Sequence, residues 1–330
     1  MPLLWNDGLT HTMQQFHAVS LEAPAATIWA FDDARLIGPC IPPVLQTLPE
    51  ETQNALFPGY VVRQYAQDQY VEQFARAGDM RHIDTAFSVW NYNCIIYGHF
   101  LLEVMPRLLT LRAAQRQDPA LSRIPILLPD NAPAFARDWI SLLLPEFQIV
   151  TKPLYETWTV QRLLIPGWGH RFVYSDLVQN ELERLTEPYR QGGMIKRRIF
   201  VDRRVESYRV LSNLQELQDV AARYGFESVS PETLSIEQQI ALFASAEHVI
   251  GEFSSALHNT LFSPAGCNVL AMNYITECQS RIGNFRQQRV GYLLPQGGPI
   301  GYDPTITGKR YFSIEPSAFE RKLKIMLGAT

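Results

Sequence analysis

The amino-acid sequence predicts an α/β protein of two lobes, the second of which is built around a parallel, doubly wound sheet. The chain has 330 residues, which exceeds the roughly 100 to 200 residues of a single ordinary domain. Hydrophobic residues make up 46% of it, enough for two buried cores. In the second half, short apolar runs alternate with helical patterns of about ten residues, which is the rhythm of a doubly wound sheet.

The first half combines strand-like runs with one long helical stretch. Apolar runs of strand type occur at residues 27–31, 70–74, 86–90, 126–128, 147–150 and 163–165. Residues 95–114 form an apolar stretch with the pattern of a buried helix. These patterns predict a sheet covered by helices in a first lobe of residues 1–175.

A connecting segment is predicted at residues 176–193. Its first part, 176–189, has the pattern of a polar-faced helix, and Gln191-Gly192-Gly193 is the best candidate for a hinge. The second lobe then covers residues 194–315. The apolar segment within 316–330 predicts a final helix.

The second lobe has clear helix start and stop signals. Ser212 with Gln215, and Ser235 with Gln238, stand in the Ser-x-x-Gln relation of a capping box before helical patterns. Gly225 follows the first of these patterns, where a glycine commonly ends a helix. Strands are predicted at 198–201, 226–229, 248–250 and 268–272, with a short helix at 256–262. In such a sheet the ligand site lies beyond the carboxyl ends of the strands, in the loops after 201, 229 and 250.

Composition excludes several classes of protein. There are 29 Lys and Arg against 33 Asp and Glu, a net charge of -4, so the basic surface of a nucleic-acid binder is not expected. The four cysteines, Cys40, Cys94, Cys267 and Cys278, lie far apart and are predicted to be buried thiols in a reducing compartment. The first residues lack a signal-peptide pattern, and no stretch reaches about 18 apolar residues. We therefore expect a cytoplasmic protein that could associate peripherally with the inner membrane.

The first group of candidate functional residues is His99, Glu103 and Arg107. They are spaced i, i+4 and i+8, which places them on one polar stripe of the otherwise apolar helix. A buried carboxylate or imidazole costs several kcal/mol unless it is paired. Two interpretations stay open: a structural ladder, or a general base formed by Glu103 or His99. Pro106 lacks the amide that would bond Leu102, so it is expected to kink the helix or limit its regular part.

Two further groups follow predicted strands of the second lobe. Asp202-Arg203-Arg204, with Arg209 beyond, could hold a diphosphate through bidentate hydrogen bonds, or could be a solvated basic loop. The turn from Gly251 to Asn259 consists largely of small residues before a helix, where free amides favour an anion. Packing alone could also explain such a turn. Within it the candidate residues are Glu252, Ser254, Ser255, His258 and Asn259.

Missing motifs narrow the chemistry. The sequence has no GxGxxG, GxxxxGK[ST], GxSxG or HExxH, which argues against the usual dehydrogenases, P-loop enzymes, α/β-hydrolases and zincins. It has no Asp-x-Asp either. We therefore expect no metal and no cofactor, with arginines and helix dipoles neutralising a diphosphate.

Together the three groups resemble glycosyltransferase family 61, which includes bacterial capsular polysaccharide enzymes and eukaryotic xylosyl- and N-acetylglucosaminyltransferases. The family's aromatic-aromatic-His-Trp-Leu-x-Glu/Asp-x-x-Pro-Arg pattern corresponds to residues 97–107, including Tyr97 and His99. A strand ending in Ser-Arg corresponds to residues 201–203, and a Gly-x-His-Gly-Ala-Gly-Leu-x-Asn turn to 251–259. The sequence departs from the family at Gly98, at Asp202 and at 253–256, where Phe-Ser-Ser-Ala replaces His-Gly-Ala-Gly.

The resemblance implies a GT-B architecture: two facing Rossmann-like lobes with an inter-lobe cleft, and a last helix that returns to the first lobe. It implies an inverting glycosyltransferase, a hexosyl- or pentosyltransferase that needs no metal, which moves a sugar from a nucleoside-diphosphate donor to a glycan or glycolipid acceptor in bacterial surface polysaccharide assembly. The first lobe would serve the acceptor, with Glu103 and His99 catalytic and Tyr97 and Arg107 structural or on the acceptor side. The second lobe would bind the donor through residues 203, 204, 209, 252, 254, 255, 258 and 259.

Two other functions stay open. A family member that binds a glycan or nucleotide as a scaffold, without turnover, would explain the departures in the turn at 251–259. A hydrolase would need two carboxylates, and no second carboxylate stands at a defined spacing from Glu103.

Overall fold

The computed structural model describes residues 26–38, 40, 49, 81–167, 174–190, 196–203, 209–298 and 308–328. The chain divides into two compact units, Leu21–Arg184 and a second that contains Leu185–Thr330. Each is a mixed α/β unit with parallel strands. The hinge expected at 191–193 and the strand expected at 70–74 lie outside the described residues.

The first unit contains a five-stranded sheet. Its strands are β1 (Ile28–Leu36), β2 (Arg81–Ser88), β3 (Ile126–Pro129), β4 (Ile149–Lys152) and β5 (Trp158–Pro166). Their order is β1-β5-β2-β3-β4, in which β1 runs antiparallel to β5 and the other neighbours are parallel. Apolar side chains from several strands, among them Ala86, Leu127, Val160 and Leu163, form one buried core. The carboxyl end of β2 lies in the middle of this sheet, between β5 and β3.

The helices of the first unit cluster around one continuous helical stretch, residues 97–117. The elements are α1 (Tyr97–His99), a π segment (Phe100–Val104), α2 (Met105–Gln117), α3 (Ala134–Leu143) and α4 (Asp176–Arg190), whose residues from Leu185 onward belong to the second unit. Every residue from Phe100 to Leu111 is buried, so the prediction of a buried helix in this region is confirmed.

Pro106 explains where the regular part of this stretch begins. A proline has no N–H to donate to the carbonyl four residues before it, here that of Leu102. The hydroxyl of Tyr174 donates to this carbonyl instead, with an Oη–O distance of 2.8 Å. The π segment ends at Val104 and the α-helix begins at Met105, so Pro106 lies at the junction between the two.

The second unit is built on a fully parallel five-stranded sheet. The strands of the second unit, in this sheet and in a smaller ribbon, are β6 (Arg197–Val201), β7 (Arg209–Leu211), β8 (Glu227–Val229), β9 (Ala246–Glu252), β10 (Asn268–Met272), β11 (Arg289–Leu293) and β12 (Arg310–Phe312). The large sheet has the order β11-β10-β9-β6-β8, and β7 pairs with β12 in a separate parallel ribbon. Its helices are α5 (Leu214–Arg223), α6 (Ile236–Ala244), α7 (Glu277–Phe285) and α8 (Pro316–Met326). Within the described ranges, no helix is long and apolar enough to cross a membrane.

Two of the three helix signals of the second unit are confirmed. Ser235 and Gln238 form the predicted capping box, and Gly225 takes φ +78° immediately after α5. The box predicted at Ser212 is wrong, because the backbone N–H of Ser212 bonds the carbonyl of Phe312 and prolongs the β7–β12 ribbon. Asn213 therefore stands at the start of α5.

The last helix, α8, belongs to the core of the second unit. Phe319, Leu323 and Met326 pack into the same buried cluster as Phe200 and Leu217. The rings of Phe319 and Phe200 meet edge-on, with centroids 6.2 Å apart. Its apolar face is thus used within the second unit, and the return of this helix to the first lobe stays a prediction.

Three of the four cysteines are buried. Burial raises the pKa of Cys40 and of Cys267 from 9.0 to about 12. The pKa of Cys94 is also raised, by burial and by the charge of Glu103. Cys278 is only partly buried. The three buried thiols stay protonated in the folded chain at pH values where they ionise in the unfolded chain.

We expect the free energy of unfolding to fall as the pH rises from 9 towards 12. The thiol contribution is complete below the unfolded pKa of 9.0 and is lost as the pH approaches the folded value of about 12. The loss amounts to at most about 1.4 kcal/mol per pH unit for each such thiol. Urea unfolding of wild type and Cys267→Ala over this range isolates the effect, since other groups cancel in the difference. Cys278→Ala is the control, and equal slopes for wild type and Cys267→Ala would contradict the prediction.

Candidate functional site

The first candidate centre is a pair formed by His99 and Glu103 at the start of the long helical stretch. His99 ends the turn α1 and Glu103 lies in the π segment, and their Nδ1 and Oε1 atoms are 2.6 Å apart. The Glu103 side chain is 0% exposed, whereas the imidazole is 36% exposed. The predicted i, i+4 contact is therefore present, and its two members differ sharply in access to solvent.

The second oxygen of Glu103 is also bonded. The side-chain amide of Asn91 donates to Oε2, with an Nδ2–Oε2 distance of 2.5 Å. The thiol of Cys94 in turn donates to Oδ1 of Asn91, at 2.7 Å. Asn91 and Cys94 are both fully buried. Sequence reasoning missed Asn91. One signal was available: Asn91 lies just beyond the carboxyl end of the strand predicted at 86–90, where site residues are common.

This geometry assigns different chemical roles to the two members of the pair. An ionised carboxylate only accepts hydrogen bonds, so a neutral imidazole beside Glu103 donates through Nδ1–H. Its lone pair is then on Nε2, the nitrogen that can take a proton from another molecule. The carboxylate of Glu103 is fully buried, whereas part of the imidazole is exposed. The arrangement therefore favours His99 as the group that exchanges protons and Glu103 as the group that orients it.

Arg107 and Tyr97 contact other elements of the first unit. Arg107 is fully buried and its Nη1 donates to the carbonyl of Pro166 at 3.0 Å, which ties α2 to the end of β5. The ring of Tyr97 meets that of Phe135 on α3 edge-on, with centroids 5.2 Å apart.

The second candidate centre lies at the carboxyl edge of the parallel sheet in the second unit. Strands β6 and β9 are parallel neighbours, with Val201 opposite Gly251. Arg203 and the turn that begins at Phe253 therefore leave the sheet side by side, as the sequence predicts. Strand β9 runs two residues further than expected, to Glu252. A Cβ at position 251 would lie 2.9 Å from that of Val201, so only glycine allows this close approach of the strands.

Arg209 braces the turn that follows β9. Its Nη2 donates to the carbonyl of Phe253 at 2.9 Å, and its Nε lies 3.4 Å from Oε1 of Glu252. The pKa of the Glu252 carboxyl is raised above its ordinary value, because burial raises it by more than the charges of Arg209 and Arg203 lower it. Arg203 is thus close enough to act on this carboxylate. Arg204 lies outside the described residues.

Ser254 and Ser255 form the turn itself. Ser254 is 7% exposed, and its hydroxyl has no hydrogen-bond partner among the described residues. Ser255 is partly buried, and its carbonyl accepts from the amide of His258. The short helix expected at 256–262 is a 3-10 helix, Leu257–Phe262. Six residues of this type align few peptide dipoles, so the expected pull of a helix N-terminus on an anion is correspondingly weak.

His258 and Asn259 face the protein interior. The imidazole of His258 packs beside the ring of Phe253, with centroids 5.6 Å apart. Asn259 is fully buried, and its Nδ2 donates to Oε1 of Gln239 and to the carbonyl of Ala256, both at 3.1 Å. Asn259 therefore links the 3-10 helix to α6, which favours the packing interpretation of this residue.

A groove of about 830 Å³ lies elsewhere in the second unit. It follows α6 towards the amino ends of β6 and β9, and its lining includes Arg190, Lys196, Glu247 and Cys267. None of the sequence-predicted site residues lines it. The residues of the second unit that are expected to bind a ligand lie instead at the carboxyl edge of the sheet.

Both candidate centres lie in a segment of the chain that matches the model of one protein family. The model of a family described as Glycosyltransferase 61 matches residues 97–270, which is more than half of the chain. The match begins two residues before His99 and ends within β10, so it includes Glu103, Arg203 and the turn after β9. No curated protein matches the chain.

Proposed function

Because the chain belongs to glycosyltransferase family 61, we propose that it transfers a sugar from a nucleoside-diphosphate donor to a hydroxyl of a glycan or glycolipid acceptor, with inversion. The observation that carries this proposal is the pairing of a partly exposed imidazole, His99, with a fully buried carboxylate, Glu103. Such a pair can accept the proton that an attacking hydroxyl must lose.

The proposed reaction is a single displacement. Nε2 of His99 takes the acceptor proton as the acceptor oxygen bonds to the anomeric carbon. The bond between that carbon and the diphosphate oxygen breaks, and the nucleoside diphosphate leaves with the electron pair. Glu103 stabilises the imidazolium that forms, as a buried carboxylate does beside a catalytic histidine. One displacement at one carbon inverts its configuration.

We propose the carboxyl edge of the second sheet as the donor site. Arg203 would pair with the diphosphate, and the hydroxyls of Ser254 and Ser255 would donate to its oxygens. Arg204 belongs to this proposal on sequence grounds alone. Glu252, held by Arg209, suits the hydroxyls of a ribose or sugar better than phosphate, because a carboxylate only accepts. His258 and Asn259 would support the turn from the interior of the second unit, where His258 packs against Phe253 and Asn259 bonds Gln239.

Several finer features also belong to the proposal. We propose a GT-B architecture for the two α/β units, each of which contains parallel strands. A role in bacterial surface polysaccharide assembly rests on the family resemblance, and we propose a cytoplasmic, peripherally membrane-associated location on sequence grounds. We also propose that the transferred sugar is a hexose or a pentose, and the nucleotide sugar that the protein binds would identify it.

The donor can be found by a thermal-shift screen against nucleoside diphosphates and nucleotide sugars, since binding to the folded state alone raises stability. We expect at least one of them to raise the midpoint of unfolding. A screen in which none does so, at millimolar concentration, would contradict the donor site.

A scaffold that binds a glycan or nucleotide without turnover is the second candidate. The observation that favours it is the acidic side chain of Glu252 at the edge where we propose that the diphosphate lies. Slow release of nucleoside diphosphate from the bound donor, without acceptor, separates the two. The enzyme releases it and the scaffold does not.

We expect turnover to survive the removal of metal ions. The sequence has no Asp-x-Asp, and arginine can neutralise a diphosphate without a cation. Turnover measured with and without excess chelator tests this. A complete loss that added magnesium or manganese restores would contradict it.

A further inference from the structure

We propose that Asn91 is a positioning residue for the proposed base: it holds Glu103 so that the imidazole of His99 carries its proton on Nδ1. The juxtaposition is a line of four side chains, Cys94, Asn91, Glu103 and His99, joined by hydrogen bonds of 2.7, 2.5 and 2.6 Å. Only the last of the four reaches solvent. The inference rests on the proposed function, and it adds a residue that lies outside the matched segment 97–270.

The first step of the argument concerns the charge of Glu103. A carboxylate that is 0% exposed is costly unless donors satisfy its oxygens. Asn91 supplies a donor to Oε2, and His99 supplies one to Oε1. Without Asn91, the buried carboxyl would favour its protonated form. Its own O–H would then donate to Nδ1 of His99, and the imidazole proton would move to Nε2.

The second step concerns the orientation of the Asn91 amide. An amide side chain can be turned through 180°, which exchanges its donor and its acceptor. The thiol of Cys94 donates to Oδ1, and burial with the charge of Glu103 keeps that thiol protonated by raising its pKa. The Nδ2 group is therefore directed at Glu103. Cys94 thus fixes the orientation of the Asn91 amide. The amide donates a hydrogen bond to the Glu103 carboxylate, and the carboxylate fixes the tautomer of the His99 imidazole.

The test is the tautomer of His99 in the full-length chain, read from the ¹⁵N shifts of its ring nitrogens after labelling with ¹⁵N-histidine. His99→Gln identifies the signals. We expect the Nδ1–H form in wild type, and a change to mainly the Nε2–H form in Asn91→Leu. Cys94→Ser is the matched control, since its hydroxyl donates to the same Oδ1, and it should retain the wild-type tautomer. This readout needs no donor or acceptor, and a purely structural role for Asn91 would not move it.

The outcomes separate this inference from the proposed function. An Nδ1–H form that persists in folded Asn91→Leu overturns the role of Asn91 and leaves His99 as the proposed base. An Nε2–H form in wild type overturns both, because Nε2 would then have no lone pair to accept a proton. If Asn91→Leu does not fold, Asn91→Ser replaces it, because its shorter side chain does not span the distance to Oε2.

Discussion

Glu103→Gln is expected to lower kcat by about 100-fold or more while the affinity for the donor stays unchanged. The substitution keeps the shape of the buried side chain and removes the charge that orients His99 and stabilises its protonated form. His99→Gln should cause a loss at least as large, because it removes the proton acceptor itself. The double variant should be little worse than either single one, since the two residues act as a unit.

The measurement is kcat and donor affinity for the folded fraction of each variant. Glu181→Gln is a matched control: Glu181 is also a buried carboxylate of the first unit, paired with Arg116 and Arg184. We expect it to lower stability without changing turnover per folded molecule. If turnover in Glu103→Gln equals that of wild type, His99 and Glu103 form a structural pair and the base lies elsewhere.

Arg203→Ala is expected to weaken donor binding by about 10-fold to 150-fold, because one charge-assisted partner contributes about 1.5 to 3 kcal/mol. Arg203 follows β6 directly, and its charge acts on Glu252 at the same edge of the sheet. Its side chain is not part of a buried core, so the variant should fold. The donor site depends on this result more than on any other.

Calorimetric titration of wild type and Arg203→Ala with the best nucleoside diphosphate from the screen provides the measurement. Arg197→Ala is the control: Arg197 lies at the opposite end of the same strand and pairs with Glu227 on the surface. It should bind as wild type does. Equal affinities for wild type and Arg203→Ala would remove the donor site from the carboxyl edge.

Much of the second unit could be predicted because its signals are local. The alternation of strands and helices follows from hydrophobic periodicity within short windows, and it predicted β6, β8, β9 and β10. The parallel order of these strands then brought Arg203 and the turn after β9 to one edge without further information. The capping box at Ser235 and the glycine at 225 depend only on residues within one turn of a helix.

Contacts between distant segments could not be predicted in the same way. Ser212 satisfied a local capping pattern, but its N–H pairs with Phe312, a hundred residues away, and that pairing determined where α5 begins. Helix α8 carries an apolar face that any uncovered sheet could accept. Its position depends on the shape of the cluster around Phe200 and Leu217.

The candidate base shows the same division. The i, i+4 spacing of His99 and Glu103 by itself determined that the two side chains meet, because consecutive turns of one helix bring them together. Which of them faces solvent was decided only by the tertiary structure, since burial depends on every element packed around the helix. The hydrogen bond from Asn91 to Glu103 was also decided by the tertiary structure. No periodicity relates residue 91 to residue 103, and the path of the loop after β2 brings the amide to the carboxylate.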